Sequence, residues 1–315
     1  MGLLFLAVTK LSLITLFGFF LYKRKVITDK GLGVLTTLVI YFTVPFLIFS
    51  GLVENFQIVL ANSVWIFLLI SVVIFIAGYL LAAAVSWRKK HQIKNEFISV
   101  VSFQNGGYLP MNIAFFLFPP GVREKFLVYI FLYLLGYNIL MWSLGSFLIF
   151  RKKGERFHYK SIFTPPIIST LVALLFIYSK LAGSMPKIIL DPMQLIGNMS
   201  FVLSLIILGC WLAKIKPKGI SQRLLLIVEA SILKLVVMPL LFLIGLLYFK
   251  VFSLLGVFVI IEAAMPSAVS LPIIAHLHRA DNEFISQGVF FTHILGIITI
   301  PLWLGFLQIL GFSFL

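Results

Sequence analysis

Ten long apolar runs, separated by short polar and mostly basic stretches, organise the chain. They lie at about 3–22, 31–53, 61–87, 95–118, 125–150, 161–181, 191–214, 222–249, 251–277 and 284–312. Each reaches the roughly 20 apolar residues that a helix needs to cross a bilayer core. In hydrocarbon the backbone must satisfy its own polar groups, so such runs predict helices. The short alternating segments of a membrane β-barrel do not occur. The third, fifth, eighth and tenth runs are long enough to require tilt or interfacial ends. No linker is long enough for a domain outside the membrane.

Composition sharpens this pattern. The chain has 315 residues, 61% hydrophobic and 11% charged, with mean hydropathy +1.13. A soluble domain of this length needs more charge to cover its surface. The fold class is therefore an all-α polytopic membrane protein with the lipid bilayer as solvent. The single cysteine, Cys210, excludes an internal disulfide. The N-terminus lacks a basic region ahead of its apolar run, and Lys10 interrupts that run, so the first segment is expected to stay as a transmembrane helix.

The formal charge of +15 suggests a nucleic-acid partner until its placement is considered. Eighteen of the 25 Lys and Arg residues fall in the odd-numbered loops: four at 23–30, four at 88–94, five at 151–160, four at 214–223, and Arg279. The even loops hold five, and Lys10 and Lys234 lie inside spans. That asymmetry is a topology signal, not a nucleic-acid-binding face. It places the odd loops in the cytoplasm and both termini outside the cell membrane.

Cutting after the fifth run gives a first repeat at 1–150, a basic cytoplasmic linker at 151–160 and a second repeat at 161–315. An odd number of spans per half inverts the second repeat relative to the first, an architecture of secondary transporters whose site lies near the midplane. Gly/Pro-interrupted spans at matching positions point to that site. The fourth span contains Gln104-Asn105-Gly106-Gly107-Tyr108-Leu109-Pro110, and the ninth runs from Glu262 through Pro266, Ser267 and Ser270 to Pro272. Proline removes a donor and glycine permits non-helical angles, so both helices should break and cross. New half-helix N-termini would attract anionic groups. Asn105, Gly106, Gly107, Pro110, Pro266, Ser267 and Ser270 are accordingly the candidate substrate-binding residues. Kinks that merely serve packing are the competing reading.

These residues resemble the auxin efflux carrier family over nearly the whole length. Tyr41-Phe42-Thr43-Val44-Pro45 with Phe46-Leu47-Ile48-Phe49 is similar to the family's second helix. Asn105-Gly106-Gly107-Tyr108-Leu109-Pro110 resembles its fourth-helix pattern, although the proline comes sooner. Met265-Pro266-Ser267-Ala268-Val269 resembles the ninth helix, where Pro272 adds a second break, and Ile298-Thr299-Ile300-Pro301-Leu302-Trp303 the last. The resemblance implies ten helices in inverted repeats with crossing fourth and ninth helices. It also implies a scaffold beside a transport domain, often a homodimer, and a small-molecule substrate: a carboxylate such as an auxin-like acid or malate.

Ionisable groups inside spans suggest function by default. Glu262, with Gln104, is a candidate for a coupling ion, Na⁺ or H⁺; a pair with a basic neighbour is the alternative. Lys234 could attract a carboxylate or pair with Glu229 or Glu262. His293 is expected to hydrogen-bond within a helix interface. His276 and His278 beside Arg279 read as a solvated loop, so no metal site and no cofactor beyond a coupling ion is expected. Pro45 is a structural position. The five tryptophans read mostly as interfacial anchors, with Trp142 deeper. No Walker motif, Gly-x-Ser-x-Gly or His-Glu-x-x-His occurs, which argues against ATP-driven transport and against an enzyme. A coupled carrier of another small solute and a channel remain as alternatives.

Overall fold

The computed structural model describes residues 2–55, 64–87, 91–150, 163–215, 220–277, 280–312 and 314. The predicted basic linker at 151–160 lies outside these residues, as do His278 and Arg279. Among the described residues the regular structure is helical, and extended pairing is confined to one isolated bridge.

The helices are α1 (Gly2–Lys23), α2 (Asp29–Asn55), α3 (Val64–Ser86), α4 (His91–Ser102), α5 (Tyr108–Leu117) and α6 (Val122–Phe150). They continue as α7 (Pro165–Tyr178), α8 (Lys187–Lys214), α9 (Ile220–Ile232 running on through Met238–Tyr248), α10 (Leu254–Ala264), α11 (Leu271–Leu277) and α12 (Asn282–Ile309). Six of them, α2, α3, α6, α8, α9 and α12, are long and apolar enough to cross a membrane. The expected fourth span is interrupted at 103–107, between α4 and α5. The ninth is interrupted at 265–270, between α10 and α11.

Prolines inside helices leave readable marks. Pro45 and Pro239 each follow a widened π turn, at Val39–Thr43 and Leu233–Val237. A proline lacks the N–H that would bond four residues back and its ring crowds that carbonyl, so the turn opens. The carbonyl freed by Pro239 is that of Leu235, and it accepts the Trp303 Nε1–H of α12 at 2.8 Å. Pro272 behaves differently. It is the second residue of α11, where a missing N–H costs nothing, so it starts that helix and makes no second break.

The tightest packing joins α1 to α8 and α2 to α7 and α8. A second set joins α3 to α4 and α6, and α9 to α12. The α1–α8 contact depends on glycine: a Cβ on Gly18 or Gly209 would run into the backbone of Ile206 or Thr15. At one end Lys214 pairs with Asp29 at 2.7 Å and Tyr22 donates to Asp29 at 2.9 Å, tying α1, α2 and α8 together. At that same end Arg223 pairs with Asp281 at 2.9 Å, and the Asp281 N–H donates to Glu96 at 3.0 Å, tying α9, α12 and α4.

The bridge pairs Gln104 with Ser267, an offset of 163 residues (267 − 104). The same offset carries Tyr108 to Leu271, the first residues of α5 and α11. The starts of α8 and α12 fall five and three residues ahead of this register relative to α2 and α6.

Candidate functional site

The two interruptions lie against each other. The Asn105 N–H donates to the Pro266 carbonyl at 2.7 Å, and the Ala268 N–H donates to the Phe103 carbonyl at 3.0 Å. Backbone groups that unwinding would orphan at membrane depth thus satisfy one another. Side chains brace the crossing. Ser267 Oγ donates to the Val100 carbonyl at 2.6 Å, and the Ser267 N–H donates to Thr292 Oγ1 at 3.2 Å. From α6, the Tyr137 hydroxyl donates to the Gln104 carbonyl, and the Gln104 amide donates to the Tyr133 hydroxyl. The two tyrosine rings stack with centroids 5.7 Å apart.

His293 braces Asn105 from α12. Its Nδ1 lies 2.8 Å from the Val289 carbonyl, which can only accept, so Nδ1 carries the hydrogen. Nε2 is then the acceptor for the Asn105 amide at 3.3 Å. The expected helix-interface role of His293 is what the geometry gives.

A cavity of about 440 Å³ opens in front of the crossing. Gln104, Asn105, Gly106, Gly107 and Ser270 form its floor. Its walls are strongly aromatic, with Tyr41, Tyr108, Tyr137, Trp142, Phe163 and Trp211, and Thr36, Asn138 and Thr164 add polar groups. Among the described residues, no Lys, Arg, Asp, Glu or His lines it. Gly107 is the N-cap of α5 and Tyr108 its first residue, so the positive end of that helix meets the cavity wall. First-turn amides have no intrahelical acceptor, although Pro110 supplies none. Its lining reaches residues 163–166 at the start of α7, Thr36 near the start of α2 and Trp211 in the last turn of α8, toward the end that carries Asp29 and Lys214.

The remaining sequence candidates sit behind this floor. Pro110 is buried within α5. Pro266 and Ser267 are buried on the far side of the crossing, where Gly296 leaves room for the Pro266 ring. Glu262 is fully buried in the last turn of α10, and neither carboxylate oxygen has a hydrogen-bond partner. Lys234 is also fully buried, in the π turn of α9, and its hydrogen bond goes to a backbone carbonyl. Its Nζ donates to the Val101 carbonyl at 2.9 Å, in the last turn of α4, where helical carbonyls lack amide partners. This helix-end contact stands beside an electrostatic interaction with Glu262, one of the two acids expected as its partner. Lys10 is exposed on α1.

Sequence reasoning missed much of the wall. Trp211, read as an interfacial anchor, lines the cavity beside Trp142 while Lys214 lies 4.8 Å over its ring. Tyr137 and Asn138 carried a signal, a polar pair inside the otherwise apolar fifth run. Trp65 and Trp87 do face outward.

Comparison with known proteins agrees with this architecture. A family model described as "Membrane transport protein" matches residues 3–160 and 150–304. A Methanocaldococcus jannaschii protein named an uncharacterized transporter is 23% identical over 307 residues, covering 92% of this chain and 94% of the relative. A Methanothermobacter thermautotrophicus protein of the same description is 26% identical over 305 residues, covering 94% and 96%. With matches spanning both halves and a multi-pass helical fold around a broken-helix crossing, the chain belongs to this membrane transport protein family, the auxin efflux carrier family that its motifs resemble.

Proposed function

We propose that this protein is a secondary transporter of small organic anions, specifically monocarboxylates with a flat apolar body, working by alternating access. The observation that carries the proposal is the cavity at the crossing. The N-terminus of α5, the Asn138 amide and the second N–H of Asn105 suit one carboxylate. The aromatic walls suit a flat apolar body. A second carboxylate would leave water with no cationic side chain among the described lining residues to pair with it. The cavity therefore fits an auxin-like acid better than malate.

In this reading the chain crosses the cell membrane ten times. The helices α4 with α5 and α10 with α11 make the fourth and ninth crossings. The offset shared by the Gln104–Ser267 bridge and the starts of α5 and α11 supports two repeats, and five crossings in each make them inverted. The first packing set, α1, α2, α7 and α8, serves as scaffold, and the helices of the crossing move against it. The positive-inside assignment puts the cavity mouth on the cytoplasmic side, so this is an inward-facing state.

Binding to purified protein tests the reading. Indole-3-acetate should raise the melting temperature saturably, malate should do so at least tenfold more weakly, and Asn105→Ala should remove both effects. Equal responses to the two acids, or an unchanged response in a folded Asn105→Ala protein, would contradict it.

A further inference from the structure

Behind the cavity floor lies a buried cluster that substrate binding does not use. Glu262 is 0% exposed and both of its oxygens are unpartnered. Gln104 is 1% exposed, and its side-chain oxygen is unpartnered as well. Leaving a buried acceptor unpaired is costly, and buried ionised groups are normally paired. Both Glu262 oxygens are thus buried acceptors with no donor. Helix polarity makes the cost greater. Glu262 occupies the C-terminal, negative end of α10, where an acid is disfavoured. Lys234 reaches the equivalent end of α4 through its bond to Val101, where a cation is favoured.

From this geometry we infer that Glu262 is a proton-binding site of the transporter, taking up and releasing one proton in each cycle together with the anion. The inference rests on the carrier reading above and adds its coupling ion. A proton needs a single oxygen, and binding it turns Glu262 from an unpaired carboxylate into a neutral acid. A metal cation would need several converging ligands beside the Lys234 ammonium. Once Glu262 is protonated, the charge of Lys234 is uncompensated behind the floor of the cavity, which favours an anion in front of it. When the proton leaves, the buried pair is neutral and the attraction falls. One proton would therefore travel with one carboxylate, in the same direction.

The connection between the two sites is Gly106. It lines the cavity, and a Cβ built on it would lie 3.1 Å from Glu262 Oε2 and 3.1 Å from Tyr133 Cε1. Only the thickness of one glycine separates the carboxyl from the cavity. The ionisable neighbours on the surrounding helices are Lys234 from α9, Tyr133 and Tyr137 from α6, and His293 from α12. Both ring nitrogens of His293 are engaged, with Val289 and Asn105.

Glu262→Gln keeps the shape and removes the proton site, and it can be tested with and without substrate. In acid-minus-alkaline infrared difference spectra of purified protein, wild type should show a protonated-carboxyl band that Glu262→Gln lacks. In proteoliposomes containing a pH-sensitive dye, an inward indole-3-acetate gradient should acidify the lumen with wild type. Glu262→Gln should acidify it at least tenfold less while still binding the acid. The same infrared spectrum and the same acidification in the variant would overturn the inference. So would acid uptake by wild type without proton movement. A Na⁺-dependent stabilisation of wild type that Glu262→Gln loses, with no carboxyl band, would replace the proton by a metal ion and also overturn it. If the band is specific to Glu262 but no carboxylate binds, the proton site stands and the monocarboxylate reading fails.

Discussion

At the scale of residues, the site works through groups that are small or committed. Gly106 illustrates the first kind. Adding one methyl places a carbon at 3.1 Å from both the Glu262 carboxylate and the Tyr133 ring, in a packed interior. Overpacking of this sort costs about 1–3 kcal/mol. Gly106→Ala should therefore fold with a lowered melting temperature and lose most uptake. Full uptake would show that the carboxyl can move aside freely. Lys234 illustrates the second kind. As a lysine inside an apolar run it was legible as functional or paired with an acid such as Glu262, but its hydrogen-bond partner was not. That partner is the carbonyl of Val101, and a backbone acceptor carries no side-chain signature. The same holds for Trp211, whose position near a span end fits an interfacial anchor as well as a cavity wall.

At the scale of elements, the two broken helices were legible because glycine and proline stop a helix locally. Gly106-Gly107 and Pro266 lie within the observed interruptions. What could not be read was how the breaks satisfy each other, since Asn105 and Pro266 are far apart in sequence and their bond is made by backbone atoms. Pro272 was misread for a related reason, because proline both ends one helix and starts the next. The Leu235 carbonyl shows how a proline in a membrane helix is accommodated. Trp303→Phe removes its indole donor and leaves a carbonyl freed by Pro239 unpaired, at a cost of about 1–3 kcal/mol. Thermal unfolding in detergent should show the loss, whereas an unchanged melting temperature would mean the carbonyl finds another partner. Because this contact joins α9 to α12 away from the cavity, affinity for indole-3-acetate should be unaffected.

At the scale of the whole molecule, apolar runs and the placement of cations carried the multi-pass reading. Orientation can be tested directly. Cys210 is buried and is the only cysteine, so Cys210→Ala provides a clean background. A Thr36→Cys label site in the cavity wall should react with a membrane-impermeant thiol reagent from the cytoplasmic face only, and indole-3-acetate should slow the reaction. Labelling from outside would reverse the topology. The central claim, however, is that the crossing binds and carries a small monocarboxylate. Its most direct test is uptake of labelled indole-3-acetate into proteoliposomes holding wild type or Asn105→Ala. Saturable uptake by wild type, poorly inhibited by malate and lost in a folded Asn105→Ala protein, is the predicted result. Equal uptake by both proteins would contradict the account.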